Sequence, residues 1–229
     1  MSVCRSSPYL FFLDESDPLT AFPTTDEIKD LGVWLSNSLN PSKMCQHSVR
    51  KATKTFYFIR RQFHYFDCRT FRLIYPTLIR PHLEYCAQIW IPYLKQDMEA
   101  LEKVQRRSTK LISSLKSLPY EERLTRLNLF PLHYRRIRGL LILMFKLHLK
   151  NELTLYFTPS PHNHLRGHPL KLFIPRCNSR VRQFSFQVYP ISTWNSLPAE
   201  IFSCQTIPSF KRRLDSVLPD ILNLPVLVS

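Results

Sequence analysis

The sequence predicts a mainly α fold: a basic helical bundle with one short strand near residue 31 and a small C-terminal α+β extension. Three observations carry this expectation. Apolar residues recur at spacings of three and four over several long stretches. Prolines and short polar residues stand where those stretches begin. Finally, three glycines (Gly32, Gly139 and Gly167) against eighteen prolines leave few positions for the left-handed turns and phosphate-cradling loops of dinucleotide and P-loop folds.

In chain order, residues 1–25 mix Pro8, Pro18 and Pro23 with aromatics and acids and show no helical period, so they read as an unstructured or divergent lead-in. They also carry none of the capping signals of a complete domain, and a truncated product is expected. Leu31-Gly32-Val33-Trp34-Leu35, bounded by Asp30 and by Ser36, Asn37 and Asn40-Pro41, reads as a strand. From Met44 the period lengthens. Cys45, Val49, Ala52, Phe56, Ile59 and Phe63 form one stripe, and Arg50, Lys51, Lys54, Arg60 and Arg61 fall mostly off it. Asp67 is placed to cap a further helix through Phe71, Leu73, Ile74, Leu78 and Ile79. Pro76 inside that pattern costs about 3 kcal/mol in a regular helix, so a kink or break is expected there.

Residues 79–115 are the centre of the chain. Leu94, Met98, Leu101, Val104, Leu111, Ile112 and Leu115 define a helix with a soft spot at Ser108, and Lys103, Arg106, Arg107 and Lys110 stack on a neighbouring face. Asp97, Glu99 and Glu102 precede those cations, the order that the helix dipole favours. Pro119 and Pro131 open two more helices. The second has the stripe Leu132, Ile137, Leu140, Leu141, Met144 and Leu147, and its start is crowded by Arg135, Arg136 and Arg138 against the dipole, so an outside partner is expected near them. Gly139 in mid-helix reads as a mark of close packing. Residues 151–169, with Pro159, Pro161, Gly167 and Pro169, form a linker loop between a domain at 26–150 and a small region at 170–229. There Phe184, Phe186 and Val188 alternate as a strand does, and Pro208 opens a last helix through Phe210, Leu214 and Leu218.

Lys and Arg exceed Asp and Glu by 32 to 17, a net charge of +15. Residues 1–30 hold six acids and two bases, which leaves thirty bases against eleven acids in the remainder. Such a field attracts polyanions, of which nucleic acid is the commonest large one. Six scattered cysteines without a CxxC pair read as free thiols in a reducing, intracellular compartment, nuclear or cytoplasmic. The most apolar stretch, 140–149, is too short to span a bilayer and is interrupted by Lys146 and His148, so no membrane partner is expected.

Chemistry-bearing clusters are weak. His162, His164 and His168 lack an accompanying acid or thiol and read as a solvated loop, so no metal or other cofactor is expected. His82, Glu84 and Cys86 read as satisfied polar groups among apolar residues. Two-metal nucleotidyl transfer needs closely placed carboxylates, yet the chain has no adjacent Asp-Asp pair and only Asp67 and Glu84 between residues 31 and 96. No catalytic residue is assigned. Phosphate contacts with aromatic stacking fit the cationic stretches, as in Lys54, Phe56, Tyr57 and Arg60.

Several short motifs occur together in order: Asp30-Leu31-Gly32-Val33, Ile59-Arg60-Arg61, Leu78-Ile79-Arg80-Pro81-His82-Leu83-Glu84-Tyr85-Cys86, Trp90-Ile91-Pro92 and Leu101-Glu102-Lys103-Val104-Gln105-Arg106-Arg107. Pro119-Tyr120-Glu121-Glu122-Arg123-Leu124, Arg176-Cys177-Asn178-Ser179-Arg180, Trp194-Asn195-Ser196-Leu197-Pro198 and Phe210-Lys211-Arg212-Arg213-Leu214 follow. With this set the chain, from about residue 26 nearly to its end, resembles the C-terminal part of the reverse transcriptase of non-LTR (LINE-type, jockey-like) retrotransposons. The resemblance implies that Leu31, Gly32 and Val33 stand at a primer-grip-like edge, that the following helices form a thumb-like bundle tracking an RNA/DNA template–primer duplex, and that 170–229 is the short region after the thumb. The family's fingers, its palm with the Tyr-x-Asp-Asp signature and its endonuclease have no counterpart in the chain. The expectation is therefore a fragment of an RNA-directed DNA polymerase that is not itself an enzyme. Its packing partner is the missing palm and fingers of the parent polyprotein. The nucleic-acid contacts are Arg50, Lys51, Lys54, Arg60, Arg61, Lys103, Arg106, Arg107 and Lys110. The alternative is a degenerate or host-adopted helical module that serves structure or protein interaction and has no nucleic-acid role.

Overall fold

A two-residue turn sets the first element. Leu31 and Gly32 both have positive φ, 43° and 85°, the combination whose twist matches an antiparallel hairpin. They join β1 (Glu27–Asp30) to β2 (Val33–Ser36), with Asp30 opposite Val33 and Glu27 opposite Ser36. The expected strand over 31–35 is thus corrected to a hairpin in which Leu31-Gly32 is the turn and only Val33 onward is strand. The computed structural model describes residues 25–63, 65–161 and 167–222, so nearly all of the expected lead-in, with Cys4, His162 and His164, lies outside the described residues.

α1 (Ser42–Gln62) follows the predicted stripe: Met44, Cys45, Ser48, Ala52, Phe56 and Ile59 are buried, while Phe63, just past its end, is exposed. Asp67 caps α2 (Cys68–Ile74) through a 2.7 Å bond from the Thr70 amide. The helix does not stop at Pro76. The backbone widens into a π turn (Tyr75–Ile79) and continues into α3 (Arg80–Glu84). The proline removes an amide donor, and the Thr77 hydroxyl one residue on donates to the Leu73 carbonyl at 2.6 Å.

α4 (Lys95–Ser108) packs on α1 and stops at the expected soft spot. The Ser108 hydroxyl donates back to the Val104 carbonyl, Thr109 to that of Arg106, and Ile112 turns extended, so 109–115 are short 3-10 turns and not more helix. α5 (Tyr120–Leu127) and α6 (Leu132–Leu149) begin after Pro119 and Pro131 as expected. α7 (Leu153–Tyr156), α8 (Arg180–Gln183), α9 (Ile191–Asn195) and α10 (Ile207–Ile221) complete the described chain.

The alternation at 184–188 is not a strand. Phe184 packs between Tyr93 and Tyr189, Phe186 meets Phe157 edge-on, and the amides of Ser185, Val188 and Tyr189 bond within local turns. A lone strand would leave those amides without partners, which local turns avoid. Among the described residues the C-terminal part therefore has no strand beyond an isolated bridge between Pro159 and Leu172, so the expected α+β extension is helical and turn-rich.

The buried apolar residues form two clusters, Val33 to Leu132 and Tyr134 to Leu218. The division falls at the start of α6, and the expected boundary at 151–169 lies inside the second cluster, which α6 shares with α10. A Cβ built at Gly139 meets nothing within 4 Å, so the expectation of close packing there is overturned. Among the described residues no helix is long and apolar enough to cross a membrane, and the described cysteines are free thiols.

Candidate nucleic-acid interface

The buried stripe of α1 fixes what its opposite side shows. Arg50, Lys51, Lys54, Arg60 and Arg61 are all exposed, with Tyr57 and Phe58 between them at 47% and 63% exposure. Among the described residues none of these cations lies within ion-pair distance of a carboxylate. Several acids are engaged elsewhere. Glu84 accepts two bonds from Arg135, Asp215 two from Arg138 at 2.5 and 2.8 Å, and Asp97, buried, accepts from the Ser42 hydroxyl. Glu102 takes the Tyr120 hydroxyl and the Leu132 amide within a network that also holds buried Gln105 against Tyr75 and Tyr120.

Two histidines register the field of this face. Burial, then Lys51, Lys29 and Arg50, pushes the His47 pKa below its ordinary value, and burial followed by Lys51 does the same to His82. Lys29, on β1, is thereby drawn into the α1 group. The spacing of the α1 cations gave no hint of it, because it arrives through the hairpin. Phe58 is the other omission, and its signal was present as an off-stripe aromatic.

On α4, Lys103, Arg106 and Arg107 are exposed as expected. Lys110 is exposed too, but it sits in the 3-10 turn beyond the helix end, so the four-cation stack is corrected to three on the helix and one displaced past it. Arg106 is held over the Tyr120 ring at 4.7 Å, and its carbonyl accepts from buried Arg123. Arg106 of α4 therefore neighbours α5, whereas Lys51 of α1 neighbours His82 of α3.

At the hairpin, Leu31 is 84% exposed, Gly32 lies beneath the Tyr85 ring, and Val33 is buried. The Tyr85 hydroxyl donates to the Leu31 carbonyl at 2.7 Å, which docks the turn on the segment after α3. β1 is exposed along its length but carries Glu27, Lys29 and Asp30, charges that blunt an open edge.

The other clusters are structural. Of the His82, Glu84 and Cys86 group, Glu84 is satisfied by Arg135, and all three are half-buried. His168 is not in a solvated loop: it is 2% exposed, with Nε2 3.0 Å from the Trp194 carbonyl and its ring against Phe202. Apolar packing overrode the polar composition of its neighbours. Among the described residues no cluster of His, Cys, Asp and Glu could hold a metal. In the Trp-Asn-Ser-Leu-Pro motif, the Trp194 indole donates to the Leu170 carbonyl and the Asn195 amide clamps both backbone groups of Leu172. These bonds fix the 170–172 segment to α9. No protein-family model, curated protein or solved structure matches the chain.

Proposed function

We propose that the chain binds nucleic acid through the outward face of α1 and through Lys103, Arg106, Arg107 and Lys110, as the primer-grip-edge and thumb-like portion of a non-LTR reverse transcriptase. One observation carries the reading: acids of this basic chain pair with the α6 arginines and with internal hydroxyls, while the α1 cations face outward with exposed aromatics among them. Guanidinium and ammonium groups so placed fit phosphates, and Tyr57 and Phe58 offer faces for stacking. In this reading Leu31, Gly32 and Val33 stand at the primer-grip edge. The duplex is an RNA/DNA template–primer, and polymerisation belongs to a palm supplied by protein outside this sequence.

The test is a fluorescence-anisotropy titration of the chain with an RNA–DNA hybrid duplex at several salt concentrations. Six to ten phosphate contacts would reduce affinity about 10³- to 10⁵-fold between 50 and 200 mM salt. An affinity that hardly moves with salt, or no binding in dilute buffer, favours the helical module without a nucleic-acid role.

A further inference from the structure

We propose that the cleft between the α2–π–α3 helix and the C-terminal end of α5 binds a phosphate group, held by Arg72, Arg80 and Arg126. The cleft encloses about 590 Å³, and Pro76, Thr125 and Asn128 line it beside the three arginines. Among the described residues no carboxylate lines it, whereas the groove between α4 and α6 carries Glu99 and Glu102 beside its arginines. The lining holds three arginines and no carboxylate, although Glu84 and Glu122 reach two of those arginines from outside it.

The π turn assembles the set. In an unbroken α-helix, residues eight apart differ by about 80° around the axis, so Arg72 and Arg80 would face different directions. The wider turn at Tyr75–Ile79 takes up part of that offset, and Arg72, Pro76 and Arg80 line one wall. Single π turns within α-helices are frequent at functional sites.

The positive charge is under-compensated. Arg72 meets no carboxylate among the described residues and donates to the Arg126 carbonyl at 3.0 Å. Arg80 is 3.8 Å from Glu84, but both oxygens of that carboxylate already accept from Arg135, so one acid serves two guanidiniums. Burial first, and Arg135 next, push the Arg80 pKa down. Arg126 has its own acid, Glu122, one helical turn away. Planar guanidinium forks match the terminal oxygens and double charge of a phosphate monoester or pyrophosphate better than a bridging diester, which offers one charge and two free oxygens.

This site does not depend on the α1 face binding nucleic acid. Its test is calorimetric titration of the full chain with inorganic pyrophosphate at fixed ionic strength. Saturable binding is expected, weakened about tenfold by Arg72→Gln or Arg80→Gln, the loss of a charge-assisted fork, and unchanged by Lys150→Gln, which removes the same charge elsewhere. Helicity is followed alongside. Where Arg80→Gln unfolds α3, Arg126→Gln, on an exposed side chain, takes its place. No saturable binding, or equal loss in Lys150→Gln, overturns the proposal. A second arm compares a short oligonucleotide bearing a 5′-phosphate with its 5′-hydroxyl form. Tighter binding of the phosphorylated form assigns the group to a nucleic-acid end, and equal binding with pyrophosphate affinity intact assigns it to a free polyphosphate.

Discussion

Helices α1 and α6 both carry clustered cations, and they use them in opposite ways. On α1, Lys43 at its start pairs with Glu27, but Arg50, Lys51, Lys54, Arg60 and Arg61 point to solvent without a carboxylate in reach among the described residues. On α6, Arg135 and Arg138 meet Glu84 and Asp215, and Arg136 is 7% exposed, donating to the Leu83 carbonyl at 2.9 Å over the Trp90 ring. The α6 arginines thus fasten α6 to α3 on one side and α10 on the other, across the division between the two cores. The difference teaches that a count of basic residues does not measure a binding surface. What decides is where the fold brings the acids, and here it brings Glu84 and Asp215 to α6.

The largest effect should come from removing the best-buried fastening. Arg136→Ala deletes a charge-assisted hydrogen bond and a ring contact and leaves a cavity, a loss of about 3 kcal/mol in unfolding free energy. Urea denaturation followed by helicity measures it. A change near zero would show that α6 is held by its apolar stripe alone, and the comparison with α1 would lose its force.

The opposite pattern is expected of Arg106→Ala combined with Arg107→Ala. Arg106 and Arg107 are exposed, and Arg106 rests on the Tyr120 ring while its fixed carbonyl, not its side chain, serves Arg123. Duplex affinity should fall about tenfold, and the dependence of log affinity on log salt should flatten by about 0.9 for each phosphate that the chain no longer neutralises. The urea midpoint should stay close to that of the parent chain. A large drop in stability would class these arginines with those of α6.

The helices were legible because burial imposes a period. The stripe Cys45, Ala52, Phe56 and Ile59, the Asp67 cap, the prolines before α5 and α6 and Pro208 in the first turn of α10 are local signals, and each marks an observed element. The end of α4 was legible only as a weakness at Ser108, because the side-chain bonds that stop it reach back within one turn while Ile112 still packs inward. The outward placement of the candidate cations could be read from the same stripes. The destination of the acids could not: Glu84 and Arg135 are 51 residues apart, and Arg138 and Asp215 are 77 apart, so no local pattern links them. The hairpin turn at Leu31-Gly32 was hidden for another reason. Leucine at positive φ is disfavoured, and docking on Tyr85 holds it there.

A buried base that stays neutral offers a third case beside the charged residues of α1 and α6. His168 directs Nε2 at the Trp194 carbonyl, and Nδ1 is buried without a hydrogen-bond partner. Burial lowers its pKa below 6.5. The unfolded chain then binds more protons than the folded one between the lowered value and 6.5. Stability from this group is complete above 6.5 and declines as pH falls from there toward the folded value, by less than about 1.4 kcal/mol per pH unit for one proton. Comparing urea midpoints at pH 7 and pH 5 for the parent and His168→Gln isolates the group, since His47, His82, His133 and His148 are lowered in both. An identical pH dependence in the two chains would show that the second core tolerates the charge.

The smallest effect separates what the α6 fastenings do from what helix propensity does. Gly139 follows directly on Arg138, has ordinary helical backbone, and would place a Cβ in open space. Gly139→Ala should therefore stabilise the chain by up to about 1 kcal/mol, through lower backbone entropy in the unfolded state and without any added packing. The same substitution in an Arg136→Ala background tells whether the two contributions are separate. Equal gains mean that Arg136 anchors a helix that would form anyway. A larger gain in the Arg136→Ala chain means that the fastening has been compensating for the glycine, and that the start of α6 is ordered by its partners more than by its own sequence.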